Sequence, residues 1–170
     1  MKLDLACGPN AAEGFEGVDL YPEPGVDHIV NLLEAPWPWK DSSVEEVRCS
    51  HFVEHVPDLV AFMREMHRVL QPGAIATIRH PYQFSVRAWQ DPTHVRAINE
   101  ATWMYFSKDV RDTAKWGGYG DTDFVVLHMD LIPGGEWGDI MEKHPEEFSK
   151  AARSLVNVID DIEVTLECRK

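Results

Sequence analysis

Cysteine is scarce in this chain. Its three residues, Cys7, Cys49 and Cys168, stand far apart and form no Cys-x-x-Cys pair. That spacing excludes a zinc knuckle and a disulfide framework, and it suits reduced thiols in the cytoplasm. Long hydrophobic runs are also missing: no stretch approaches the roughly 20 apolar residues of a membrane span. Met1-Lys2 leads directly into a strand-like segment, with no room for a signal peptide. Positive charge is in short supply, with 16 Lys and Arg against 29 Asp and Glu and a net charge of −13. Polyanions are held through Lys and Arg contacts to phosphate, so this balance disfavours nucleic acid as a partner.

What is present is an ordinary globular composition, 44% hydrophobic and 26% charged over 170 residues. That length builds one domain with a real core, and no repeat or linker divides it, so residues 1–170 are expected to form a single domain. Short apolar strands are expected at Leu3–Ala6 and Gly17–Leu20, with a weaker one at Asp27–Leu32. Pro36-Trp37-Pro38-Trp39 is a loop, because proline suits neither a helix interior nor a central strand. Val44–Ser50 reads as a strand. Pro57–Leu70 carries apolar residues at helical spacing and reads as an amphipathic helix, stopped by Gln71-Pro72-Gly73. Ala74–Ile78, Phe124–Ile132 and Ile162–Cys168 complete the strands, and Ile140–Asn157 reads as mostly helical. Alternation of this kind predicts a largely parallel α/β sheet. Residues 80–120, rich in aromatics, His and Pro, break the rhythm and read as an elaboration over the sheet's C-terminal edge, with a helical piece near Asn99–Ser107.

Two acids and a small-residue turn carry the chemistry. Residues 3–10 read Leu-Asp-Leu-Ala-Cys-Gly-Pro-Asn, a variant of the acidic-x-Gly-x-Gly nucleotide loop. Small side chains at Ala6 and Gly8 let backbone approach a ligand. Asp4 would repel the pyrophosphate that such loops bind in dinucleotide folds. It suits instead a cationic tail, such as the sulfonium and ammonium of S-adenosylmethionine. Asp19 ends the second strand, where a carboxylate can accept both ribose hydroxyls. Asn31 ends the third, where an amide can meet an adenine edge. Only nine residues lie between Cys7 and Gly17, so the first crossover has space for a turn of helix at most, near Asn10–Glu13.

With these motifs the chain resembles the class I S-adenosylmethionine-dependent methyltransferases, most closely those with an abbreviated first crossover. The resemblance extends through Glu-Gly-Phe-Glu-Gly-Val-Asp-Leu-Tyr at 13–21, Asn31-Leu32, and Trp37 to Val47. It continues through Ser-His-Phe-Val-Glu-His-Val at 50–56 and Met-His-Arg-Val-Leu-Gln-Pro-Gly-Ala at 66–74. It implies a Rossmann-like fold with a mostly parallel seven-stranded sheet, an antiparallel last strand and flanking helices. It also implies that Asp4 and the loop Ala6, Cys7, Gly8, Pro9 and Asn10 hold the methionine part of the cofactor. Asp19 would bind the ribose, Leu20, Asn31 and Leu32 would surround the adenine, and Ser50 and His51 would line the methyl end. Ala6 replaces the family's first glycine and is expected to fit with ordinary backbone angles; Asn10 replaces a small residue and can take a left-handed conformation.

His51 and His55 are four apart and would share a helix face, with Glu54 on another. With no third ligand, no metal is expected, and His55 is read as a packing or capping residue. His80-Pro81-Tyr82 closes the fifth strand, and Asp91–Arg96 with Trp89 and Trp103 reads as a wall of an acceptor pocket. The expected activity is transfer of a methyl group to a small-molecule acceptor, a hydroxyl being the case that needs a base. His94 and His51 are the candidates for that base. The alternatives are a non-catalytic methyltransferase-like binding domain and a nicotinamide-dependent oxidoreductase; Asp4 counts against the latter.

Overall fold

The computed structural model describes residues 1–170. Seven strands form one sheet in the order β3-β2-β1-β4-β5-β7-β6. They are β1 (Lys2–Leu5), β2 (Glu16–Asp19), β3 (His28–Ile29), β4 (Val44–Ser50), β5 (Leu70–Pro81), β6 (Phe124–Pro133) and β7 (Ile159–Cys168). The first five run parallel, while β7 lies antiparallel between β5 and β6. The expected mixed, mostly parallel sheet is therefore present. Its parallel strands all end on one side, at Leu5, Asp19, Ile29, Ser50 and Pro81, where ligands bind in open α/β sheets.

The central strands are apolar because they are covered. Leu3, Leu5, Val47, Ala76 and Ile78 are fully buried and join the core cluster with α1 (Leu59–Val69). Helix α1 turns Leu59, Phe62, Met63, Met66 and Val69 inward. Asp58 caps it by accepting a hydrogen bond from the Ala61 amide at 2.9 Å, so Pro57 precedes the helix rather than entering it. Arg68 on the outer side binds the carbonyls of Trp37 and Trp39 and the carboxylates of Asp41 and Glu65, and thereby fixes the Pro36–Trp39 loop.

Several boundaries differ from the sequence reading. β5 begins at Leu70, directly on the end of α1, so Gln71-Pro72-Gly73 does not separate helix from strand. The register jumps from Val44↔Leu70 to Glu46↔Ile75, and the intervening residues bulge out of the ladder, which accommodates Pro72. Asn10–Glu13 forms no helix, and β3 is only His28–Ile29. The 140–157 segment lies in two short helices, α3 (Trp137–Lys143) and α4 (Pro145–Ala152), divided where Pro145 starts a new first turn. α2 (Lys108–Ala114), which the sequence reading missed, follows a 3₁₀ segment at Glu100–Phe106 capped reciprocally by Asn99 and Thr102. No helix is long and apolar enough to cross a membrane.

Candidate active site

The turn after β1 is built from inside by two carboxylates. Asp4, nearly fully buried, accepts the amide of Ala12 at 2.8 Å and ties the far end of the loop back to the strand. Asp19 accepts the amide of Gly8 at 2.9 Å through Oδ2 and that of Tyr21 at 3.2 Å through Oδ1. The turn reverses sharply because Ala6 and Gly8 both take left-handed angles, with φ of 54° and 56°. The expectation of ordinary angles at Ala6 is thus wrong. The alanine retains the glycine conformation, at a cost of roughly 1–2 kcal/mol. Gly8, not Asn10, supplies the second left-handed residue. Gly17 is glycine for a different reason: a Cβ there would lie 2.0 Å from the Gly25 carbonyl oxygen.

A cavity of about 300 Å³ opens beyond these strand ends, lined by Ala6, Asp19, Leu20, Asn31, Leu32 and His51 among others. Six residues expected around a cofactor are thus gathered from the ends of four strands. Asp4, Cys7, Gly8, Pro9, Asn10 and Ser50 stand outside the cavity walls, and the first four of these shape or precede the turn that Ala6 begins. The Asn31 side chain is engaged locally: Oδ1 accepts the Leu33 amide at 3.1 Å and Nδ2 donates to Glu34 at 2.8 Å. It therefore fixes the turn that presents Leu32. Cys7 is half-buried, and burial together with the charges of Asp4 and Asp19 pushes its thiol pKa up.

His51 stands at the tip of β4 in a left-handed conformation, φ 54°, and only then does the chain enter a 3₁₀ turn at Val53–His55. The two histidines do not share a helix face, yet both line the cavity. Glu54, placed on the wrong face by helical spacing, lies beside them: a 3₁₀ turn advances each residue further around the axis than an α-helix. Its Oε1 is 3.5 Å from His51 Nδ1 and 3.9 Å from His94 Nε2. On its other side His51 Nε2 is 3.6 Å from Asp161 Oδ2.

Asp161, fully buried at the start of β7, was not found by sequence reading, nor were its partners. Arg79 donates to its Oδ2 from Nε at 3.0 Å and from a terminal nitrogen at 2.7 Å, and Arg87 adds a contact at 3.3 Å. The signal was the antiparallel pairing of Pro81 with Asp161, which no local pattern reveals. His94 has only 8% of its side chain exposed and lines no part of the cofactor-side cavity. His80, also buried, receives the Trp103 indole N–H on Nε2 at 3.2 Å, and desolvation lowers its pKa.

A family model described as a methyltransferase domain matches residues 3–78, the segment that contains β1 to β4, α1 and most of β5. Through this segment the chain is similar to the methyltransferase-domain family. A probable S-adenosylmethionine-dependent methyltransferase of Mycolicibacterium smegmatis is 34% identical over 85 residues. That match covers 48% of this chain and 32% of the relative, so the chain spans about a third of the length of the curated relative it matches. Among solved structures, a SAM-dependent methyltransferase from Archaeoglobus fulgidus superposes with a TM-score of 0.67 at 16% identity, covering 98% of this chain and 85% of that one. One from Mesorhizobium loti gives 0.60 at 14%, covering 98% and 90%. The [4+2]-cyclase SpnF gives 0.59 at 14%, covering 99% and 74%. These likenesses establish the methyltransferase fold across nearly the whole chain.

S-adenosylmethionine is the cofactor for which these similar proteins are named, and the residues here fit it. An acid ends β2 inside the cavity, Leu20, Val30 and Leu32 supply apolar flanks for a flat base, and the turn at Ala6 and Gly8 is narrow enough to bring backbone against a ligand.

Proposed function

We propose that this protein is an S-adenosylmethionine-dependent methyltransferase that methylates a hydroxyl of a small-molecule acceptor. The observation that carries the reading is the cavity itself, whose walls bring Asp19, Leu20, Asn31 and Leu32 together with His51. When bound, the cofactor supplies a methyl carbon on a positively charged sulfur. Asp19 holds the ribose, and the turn from Ala6 to Asn10, braced by Asp4, holds the methionine part. Ser50 ends the strand that positions His51.

His51 takes the acceptor's proton. It is about one-third exposed, lines the cavity, and lies 3.5 Å from Glu54 Oε1 and 3.6 Å from Asp161 Oδ2. Methyl transfer to the acceptor oxygen would leave the cofactor's sulfur uncharged, so the acceptor's proton is the one charge the chain must take up, and His51 would hold it. Alignment and exclusion of water supply the rest. His94, the other expected base, is buried and is not among the residues that line this cavity. In this reading residues 80–120 form the acceptor side of a single domain; the free thiols support a cytoplasmic location, and the acidic charge supports an acceptor other than nucleic acid.

Calorimetric titration with S-adenosylhomocysteine tests the cofactor half. The parent should bind it and not NAD, and Asp19→Ala should bind at least tenfold more weakly; equal affinity would overturn the assignment. Turnover by His51→Ala on an identified acceptor tests the base.

A further inference from the structure

The Glu54 carboxylate is buried, with 3% of the side chain exposed, and its Oε2 has no hydrogen-bond partner. The imidazole nitrogens near Oε1, at 3.5 and 3.9 Å, are too distant for good hydrogen bonds. A buried carboxylate left in this state is costly unless a cation completes its surroundings. One donor atom from each of Glu54, His55 and His94 lies within 4.8 Å of the others. We infer that Glu54, His55 and His94 form a binding site for a divalent first-row transition ion at the acceptor end of the cavity.

The surroundings of the two imidazoles support this. His94 Nδ1 is 3.1 Å from the Ala88 carbonyl oxygen, to which it donates as the Nδ1–H tautomer, so Nε2 carries the lone pair that faces Glu54. His55 Nδ1 is 2.9 Å from Thr93 Oγ1, which itself donates to Asp91 Oδ1 at 2.7 Å, so that ring too keeps Nε2 free. A carbonyl on one ring and a carboxylate-backed hydroxyl on the other are the partners that orient metal-binding imidazoles and set their tautomer. The two rings meet edge to face, with centroids 4.6 Å apart.

The backbone holds the loop that carries His94 in register over the Glu54 turn. The Val95 amide donates to the Glu54 carbonyl at 2.9 Å, and Arg96 donates to the carbonyls of Val56 and Pro57 at 2.7 and 2.6 Å. Binding would draw the donors together, the Glu54–His94 pair the least and the pairs with His55, which lie within 4.8 Å, by more. Metal–ligand bonds of about 2.0–2.2 Å in a tetrahedral site put ligand atoms roughly 3.4 Å apart, against 3.9 Å now between Glu54 and His94. Two imidazoles and one carboxylate suit Zn²⁺ or a neighbouring ion, not Ca²⁺ or Mg²⁺, which prefer all-oxygen shells. Three protein ligands leave a coordination position open, and His55 also lines the cavity. The ion's role in transfer rests on the function proposed above: it would bind the acceptor oxygen and make its proton easier to remove by His51.

The test uses chelator-treated full-length protein titrated with Zn²⁺ alone by calorimetry, with metal content measured after desalting. One Zn²⁺ per chain is expected. Glu54→Gln and His94→Ala should each weaken binding at least tenfold, while His128→Ala, whose ring pairs with Asp130 on an exposed edge, should bind as the parent does. If Glu54→Gln does not fold, His55→Ala, at a partly exposed position, replaces it. Absence of stoichiometric binding, or equal affinity in the ligand variants, overturns the site. S-adenosylhomocysteine titration of the same samples separates the two readings. Binding of the nucleoside without Zn²⁺ rejects the metal site alone, and Zn²⁺ without the nucleoside rejects the cofactor reading alone.

Discussion

Replacing Arg79 by Met should destabilise this protein more than replacing Asp161 by Asn, although both changes break the same ion pair. The asymmetry follows from burial. Asp161 is fully inaccessible, while Arg79 keeps 37% of its side chain in solvent. Without Arg79 the carboxylate stays buried with Arg87 at 3.3 Å as its remaining cationic neighbour and the His51 ring at 3.6 Å, and its Oδ1 is already unpartnered. Removing one partner of a buried pair costs about 3–5 kcal/mol; the surviving Arg87 contact points to the lower end, about 3 kcal/mol. In Asp161→Asn the guanidinium rehydrates easily and the amide oxygen still accepts, so the loss is that of charge assistance, about 1.5 kcal/mol. At 2–4 °C per kcal/mol for a domain of this size, Tm should fall by about 9 °C for Arg79→Met and about 4 °C for Asp161→Asn. Thermal unfolding followed by near-UV circular dichroism measures both. Arg79→Met/Asp161→Leu should recover most of the loss, since an apolar pair leaves no charge behind. An Arg79→Met protein at least as stable as Asp161→Asn would refute the reasoning.

Three further outcomes are expected. His80 is buried with a lowered pKa, so the unfolded chain takes up a proton first as pH falls. Its contribution is intact above about pH 6.5 and declines as pH drops towards the folded value; His80→Gln should flatten that part of a denaturant-midpoint profile, and an unchanged slope would exclude His80 as the cause. Gly17→Ala puts a methyl 2.0 Å from the Gly25 carbonyl oxygen and 3.0 Å from Cys7 Sγ. It should cost at least about 1–3 kcal/mol, checked by urea unfolding, and an unaltered midpoint would contradict the close approach. In an Ellman titration of native protein at pH 8, Cys7 should react slowly. Buried Cys49 and Cys168, the latter with its thiol pKa pushed up to about 11, should stay silent until denaturant is added; rapid reaction of all three thiols would contradict their burial.

The parallel half of the fold was legible because its signals are local. Val44–Ser50 was found to the residue, the Pro57–Leu70 periodicity gave α1 to within two residues, and Asp19 was identified by its place at a strand end. Errors arose where a long-range contact overrides local chemistry. Proline and glycine after Leu70 announce a stop, but pairing with β4 tolerates them as a bulge. Helical spacing separated Glu54 from His51 and His55, whereas the left-handed residue at His51 and the 3₁₀ turn after it bring them together. Asp161 lies 82 residues from Arg79 and 74 from Arg87, so only the assembled sheet displays the three as a group.

The outer border of the sheet has a consequence of its own. At one side the border is β3, two residues long; at the other it is the ten-residue β6, long enough to recruit a foreign strand. β6 defends itself through its irregularities. Its register against β7 slips between Val126 and His128 and again between Ile132 and Pro133, leaving Leu127 turned outward. A second chain laid along β6 would find an unbroken ladder only from His128 to Ile132, ended by a proline with no N–H to offer, which keeps concentrated protein from growing sheet upon sheet.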